Sequence, residues 1–320
     1  MQTPFGNTPN TTNYNTYGAA IGSGEGFVLD RVAGAKLAFS VRKLSALYNG
    51  SYARIRRPYD NMETDITTPY GGFIAPQAAV SDGSGLQGWL SGADGAGVRW
   101  YDQSGAAAHL TQNTAANQFL LRFGFTGNRT AFAGKPLSDY QWVYPASTGN
   151  YLFGAGKQFS FHFVVKTNVT AGADFAMFYH IASNNDLIRG LILRVVGSGS
   201  GYKAGFVGGD LNATVNMSTV SVFDNTRPHH VLFCYDGTIN TSWMGRVTVY
   251  VDGIASPMAV SFQTGPFPAP LTQPVTVPRV WAPYTAITNS GLSEAILWDR
   301  LLTPAEISFI TQNTRKAYGI

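Results

Sequence analysis

Apolar and polar residues alternate through most of the chain from residue 97 onward, and a turn signal interrupts them about every ten residues. Phe159, Phe161, Phe163 and Val165 alternate with Ser160, His162, Val164 and Lys166. Val231, Phe233 and Tyr235 run into Asp236-Gly237, and Val247, Val249 and Val251 run into Asp252-Gly253. A period of two sends successive side chains to opposite faces of a strand. These segments therefore predict half-buried strands, and the last two predict a hairpin. On the Phe-bearing segment, His162 lies opposite the Phe row and reads as polar surface. The nearly continuous apolar stretch from Ile188 to Val196 and the late run Ala295-Ile296-Leu297-Trp298 add further strands. Gly197-Ser198-Gly199-Ser200-Gly201 reads as a hairpin tip.

Earlier in the chain, Tyr52 to Pro58 alternates as well. Arg54 and Arg56 fall on one face and Ala53 and Ile55 on the other. Val98-Arg99-Trp100-Tyr101-Asp102 leads into the turn Gln103-Ser104-Gly105, where Asp102 is suited to hydrogen-bond turn amides. Only two helices are expected. Leu37, Val41, Leu44, Leu47 and Tyr48 share one face of a 3.6-residue period that Asn49-Gly50 stops. Thr303-Pro304-Ala305-Glu306 is a helix start, with Thr303 as cap, Pro304 in the first turn and Glu306 three residues past the cap. The predicted fold is mainly β: an antiparallel β-sandwich with one helix in the N-terminal half and a short C-terminal helix.

Composition narrows the function classes. Of 320 residues, 44% are apolar and only 12% charged, about half the usual charged share. The net charge of +4 is a small excess spread over both halves, not the footprint of a nucleic-acid binder. No window approaches a membrane-spanning apolar run. The single cysteine, Cys234, excludes an internal disulfide framework and a cysteine zinc site, and reads as a buried thiol. The opening MQTPFGNTPNTT has neither the basic nor the apolar region of a signal peptide. Residues 1–24 read as an extended arm, either a solvated tail or a segment ordered against a partner subunit, in which Tyr14 and Tyr17 offer surface to bury. Residues 25–320 read as one sandwich.

Two stretches carry a family resemblance. Arg227 to Gly237 (RPHHVLFCYDG), Val247 to Gly253 (VTVYVDG) and Leu292 to Ile307 (LSEAILWDRLLTPAEI) resemble a laminin-G-like or concanavalin A-like jelly roll. Ala38 to Leu44 (AFSVRKL), Tyr52 to Asp65 (YARIRRPYDNMETD) and Trp100 to Gly105 (WYDQSG) with His109 to Gln112 are similar to the start of arabinofuranosidase B-type catalytic domains. The same N-terminal set, and the closing Ala317-Tyr318-Gly319-Ile320, also resemble modules of bacteriophage structural proteins.

Glycoside hydrolysis needs two carboxyl groups facing one sugar. The chain has four Glu: Glu25, Glu63, Glu294 and Glu306. Glu306 fits a capping box, Glu294 opens the last strand, and Glu25 lies where the arm meets the body. Only Glu63 sits in a polar segment of interest. The resemblance to arabinofuranosidases implies a Glu on a mid-chain strand and an Asp in a late loop. Phe175 to His180 and Leu187 to Val196 carry no Glu, however, and Trp281 to Gly291 no acid. The scaffold is expected to carry over without that catalytic pair. His229 and His230 are adjacent on a strand and cannot chelate one metal.

Asp60, Glu63 and Asp65 offer oxygen ligands for Ca²⁺, against the alternative that the acids of this cluster pair with Arg54, Arg56 and Arg57. No other cofactor is implied. For stacking on a sugar, Trp243, Trp281 and Trp89 lie in loop-like contexts, with Trp243 at a hairpin tip either as surface aromatic or as loop anchor. Trp100 and Trp298 read as core. The sequence thus predicts a non-enzymatic virion structural protein of a bacteriophage, a head-decoration or fibre/tail-associated module made in the host cytoplasm. It would assemble with other virion proteins or its own copies through residues 1–24 and present a lectin-like face to cell-surface glycans. The alternatives are a carbohydrate-binding adhesion module and an arabinofuranosidase-like glycoside hydrolase.

Overall fold

A computed structural model of the chain describes residues 26–126, 129–134, 142–143, 156–167, 174–181, 190–198, 201–209, 214–239, 243–265, 277–283 and 290–320. The arm with Tyr14 and Tyr17, and Glu25, lie outside the described residues. In chain order, the N-terminal half holds α1 (Val28–Arg31), β1 (Ala35–Ser40), β2 (Ala53–Arg56), β3 (Glu63–Thr68), β4 (Ala79–Val80), α2 (Leu86–Leu90), β5 (Gly95–Trp100), β6 (Leu110–Thr111), β7 (Leu120–Thr126), β8 (Arg129–Ala133) and β9 (Trp142–Val143). Then come β10 (Gln158–Lys166), β11 (Asp174–Ile181), β12 (Gly190–Ser198), β13 (Gly201–Gly209), β14 (Thr214–Thr219), β15 (Phe223–Asp224) and β16 (His229–Asp236). The chain closes with α3 (Trp243–Arg246), β17 (Val247–Val251), β18 (Ile254–Ser256), β19 (Met258–Thr264), β20 (Val277–Pro283), β21 (Gly291–Trp298) and α4 (Pro304–Tyr318).

The fold is mainly β, an antiparallel sandwich of two sheets. The smaller sheet runs β18-β17-β16-β10-β21-β1. The larger runs β4-β3-β2-β5-β6-β9-β20-β11-β12-β13-β14-β19, with β15 beside β13. β7 and β8 pair with each other and bridge the two, β7 to β5 and β8 to β21. The core between the sheets holds Phe39, Ile55, Ile66, Trp100, Phe161, Phe163, Phe178, Phe206, Phe233 and Leu297. Most come from the inward-facing phase of a strand; Phe39 and Leu297 come from β1 and β21, which are buried on both faces.

A third layer covers the outside of the smaller sheet. There α4 and α1 set Ile307, Ile310, Val28 and Val32 against Ala38, Leu232, Cys234, Ile296 and Trp298. α4 begins as its sequence dictates: Thr303 accepts from the Glu306 amide and Glu306 reaches back to the Thr303 amide, completing a capping box with Pro304 in the first turn.

The third layer accounts for two corrections. The segment expected as a helix around Leu37 to Tyr48 is strand β1 followed by irregular chain, and Leu47 is 87% exposed. Leu37, Phe39 and Val41 face the main core while Ala38 and Ser40 face α4, so a strand buried on both sides mimicked a helical stripe. His162 is fully buried, because the face opposite the Phe row lies beneath α4 and not in solvent. The expected hairpin of β16 and β17 is present, as is the turn at Asp252-Gly253, whose φ angles of 51° and 83° are those of a type I′ hairpin turn.

Candidate functional site on the outer face of the larger sheet

β2, β3 and β5 alternate between core and outside. Ala53 and Ile55 point inward and Arg54 and Arg56 outward. On β3, Thr64 and Ile66 are buried, whereas Glu63 is exposed and Asp65 half-buried. Glu63 and Asp65 therefore share the outer face of one strand, about 6.6 Å apart along it. Register sets Arg54 between Asp65 on one side and Arg99 on the other. The same backbone row continues through Thr111, Val143, Arg279, Tyr179, Ile192, Val207, Asn216 and Phe262 to the far edge of the sheet.

Asp65 is held on this face by two side chains. Arg54 grips it in a fork, Nε to Oδ1 at 2.9 Å and Nη2 to Oδ2 at 2.8 Å, and the Tyr101 hydroxyl donates to Oδ1 at 2.8 Å. Burial opposes ionisation, but the hydrogen bonds from Arg54 and Tyr101 outweigh it and hold the carboxyl below its ordinary range. The same environment raises the Tyr101 phenol, through burial first and the adjacent carboxylate second. Glu63, two residues away, makes no hydrogen bond or ion pair among the described residues.

The other acid of this segment is committed elsewhere. Asp60 receives the Arg57 guanidinium, with Nη2 to Oδ2 at 2.5 Å, and accepts from the Met62 amide. Arg57 in turn lies over the rings of Trp89 and Tyr59, at 4.6 and 4.8 Å from the ring centroids, and donates to the Trp89 carbonyl at 2.6 Å. The acids proposed as Ca²⁺ ligands are thus sorted by their arginines: Asp60 with Arg57, Asp65 with Arg54, and Glu63 outward. Among the described residues no group of three or more His, Cys, Asp or Glu is placed to hold a metal ion.

Of the three tryptophans singled out for sugar stacking, Trp89 is half-buried beneath Arg57. Trp243 is 1% exposed, so the structure selects its reading as a loop anchor. Trp281 belongs to β20, and its side chain lies outside the described residues. Trp100 and Trp298 are core. Asp102 does what its turn position suggests: it accepts from the amides of Ala38, Ser104 and Ala108.

A second polar cluster, hidden from sequence reasoning, lies under α4. Glu294 is fully buried and accepts from Arg42 Nε at 2.7 Å, Arg42 Nη2 at 2.9 Å, Ser40 Oγ at 2.8 Å and Tyr318 OH at 3.1 Å, with His162 Nε2 at 2.9 Å. It is closed off from solvent on every side, which gives it a structural role rather than a ligand-facing one.

No protein-family model matches the chain, and no curated protein sequence does. Among solved structures, a mutant of GH54 α-L-arabinofuranosidase soaked with 4-nitrophenyl α-L-arabinofuranoside is similar at a TM-score of 0.51 and 11% identity, over 91% of this chain and 64% of that one. The GH54 enzyme soaked with a cyclic sulfate inhibitor matches with the same figures. Trypanosoma rangeli sialidase is similar at a TM-score of 0.41 and 12% identity, over 68% of this chain and 31% of that one. The chain thus spans less than two thirds of the length of either protein. At these identities the likeness establishes the fold.

The comparisons correct the expectation of a non-enzymatic virion protein. The structures similar at a TM-score of 0.51 are both of a GH54 α-L-arabinofuranosidase, which favours the arabinofuranosidase-like alternative over the virion reading. The N-terminal residues whose motifs resembled phage modules are β1, β2, β3, β5 and β6, integral strands of the sandwich that the arabinofuranosidase shares.

Proposed function

We propose that the chain is a carbohydrate-active protein of arabinofuranosidase-like architecture that cleaves glycosidic bonds on the outer face of its larger sheet, with Glu63 and Asp65 as the carboxyl pair. The observation that carries this reading is their placement on one face of β3, with Asp65 kept ionised by Arg54 and Tyr101. Two residues apart on one strand face, the two side chains project side by side, and an inverting glycosidase needs two carboxyl groups flanking one sugar. The likeness to an arabinofuranosidase over 91% of the chain supports the scaffold and suggests an arabinofuranoside as first substrate to test.

In this mechanism Glu63 protonates the leaving glycosidic oxygen as its bond to the anomeric carbon breaks. Asp65 takes a proton from a water whose oxygen bonds to that carbon from the opposite side. The proton lost by Glu63 and the proton gained by Asp65 are exchanged with solvent before the next turnover, so atoms and charge balance.

The test is release of 4-nitrophenol from 4-nitrophenyl α-L-arabinofuranoside by the parent chain and by Glu63→Gln and Asp65→Asn. The expected result is turnover by the parent and a loss of about 10²–10⁴-fold in kcat for each variant. A parent that releases no nitrophenol, or variants that match it, would overturn the proposal.

A further inference from the structure

The arginines of the outer face are not equivalent. Arg54 and Arg57 are neutralised by Asp65 and Asp60. Arg56 and Arg99 form no ion pair with a carboxylate among the described residues, although the charge of Arg99 helps hold Asp65 ionised. Arg56 donates only to neutral oxygens, Nε to Gln118 Oε1 at 2.9 Å and Nη1 to Asn61 Oδ1 at 2.6 Å. Arg99 makes no hydrogen bond among the described residues and rests over the Tyr101 ring at 5.7 Å.

Both flank the carboxyl pair. Arg99 is directly opposite Arg54 in register, and Arg56 opposes Glu63. β2, β3 and β5 present the three guanidinium groups of Arg54, Arg56 and Arg99 against the two carboxyl groups of Glu63 and Asp65. A surplus of half-buried guanidinium beside a site is a recognition element for an anion, since each fork still has donors to give to a carboxylate or sulfate.

Resting on the proposed reading of this face as the sugar site, we infer that the saccharide it takes is acidic, carrying a carboxylate or sulfate group that Arg99 and Arg56 receive beside the scissile residue. The neutral partners of Arg56 position its guanidinium without cancelling its charge. Tyr101 holds Arg99 from below and at the same time holds Asp65, which couples recognition of the acidic group to the base.

Affinity gel electrophoresis tests this with three immobilised polysaccharides: polygalacturonate as carboxylate, carrageenan as sulfate and linear arabinan as neutral control. The expected result is retardation on polygalacturonate or carrageenan at least 10-fold stronger than on arabinan, weakening as salt is raised. Whichever of the two acidic polymers retards the chain assigns the source of the anion. Arg99→Gln and Arg56→Gln should each lower the ratio of acidic to neutral retention several-fold, whereas Arg99→Lys, which keeps the charge, should retain most of it. Circular dichroism of each variant establishes that the sandwich is intact. Equal retention on acidic and neutral polymers, no retention on the acidic ones, or a ratio unchanged in folded Arg99→Gln would overturn the inference. Nitrophenol release by the same parent sample reports separately on whether the hydrolytic reading stands.

Discussion

Arg42 and Glu294, 252 residues apart in sequence, form a bidentate ion pair in which both side chains are buried to within 1% of full burial. The pair joins the chain just past β1 to β21, and His162 from β10 and Tyr318 from α4 add to the ring around the carboxylate. A buried charge that loses its partner keeps its desolvation cost without compensation. Glu294→Ala and Arg42→Ala should each lower the stability measured by urea denaturation by about 3–5 kcal/mol. Replacing both with apolar residues of similar volume should cost less than the sum of the two single changes.

The same cluster sets an acid sensitivity. Burial pushes Glu294 toward protonation, but the charge of Arg42 and the contact with His162 override it and hold the carboxyl far below its ordinary 4.5. Burial, and then His162, drive His230 well below its ordinary 6.5. Both groups bind protons more readily unfolded than folded, so the stability they contribute is present above their ordinary values and is lost as pH falls. The thermal midpoint should therefore drop as pH is lowered from 6.5, and more steeply below 4.5. A Glu294→Gln chain should show a shallower slope below 4.5. A parallel slope in that variant would place the sensitivity elsewhere.

Gly253 closes the β17–β18 hairpin at φ 83°, and a Cβ there would run into the Thr311 side chain of α4. Gly253→Ala should cost about 2 kcal/mol or more, read as a lowered urea midpoint. Asp252→Asn, which tolerates the same left-handed backbone, tests the turn without the clash. It should cost less, through the weakened contacts of Asp252 with His229 and the His230 amide.

Cys234 is buried against the Ser160 hydroxyl, and burial pushes its thiol up to about 11. At pH 8 it should resist iodoacetamide in the folded chain and react promptly in denaturant, as followed by mass spectrometry. Fast labelling of the folded chain would mean that the layer of α4 opens readily.

Much of the fold was legible because strand alternation is local. Arg54 and Arg56 outward, Ala53 and Ile55 inward, the Asp252-Gly253 turn and the Thr303–Glu306 cap all follow from neighbours in sequence. What failed was non-local. Leu37 to Val41 has no polar phase because β1 is covered on both sides, and nothing near it announces that α4 does the covering. His162 carried the same ambiguity: opposite a Phe row, it is surface or second core depending on a helix that begins 142 positions later, at Pro304. The candidate site was half visible. Glu63 and Asp65 stand two apart, a spacing that places them on one strand face. Their union with Tyr101 and Arg99 depends on β5 lying beside β2, and that adjacency is a property of the assembled sheet.

The placement of Glu294 also acts as a gauge of alignment. If β21 slid one residue along β1, its side chains would exchange faces. The carboxylate would then be thrust among Phe39 and Phe161, where no cation waits, while Leu297 or Ala295 met the guanidinium of Arg42. The misaligned sheet is penalised twice, so the innermost ion pair discriminates between neighbouring pairings that the oily residues on either side, being interchangeable, distinguish poorly.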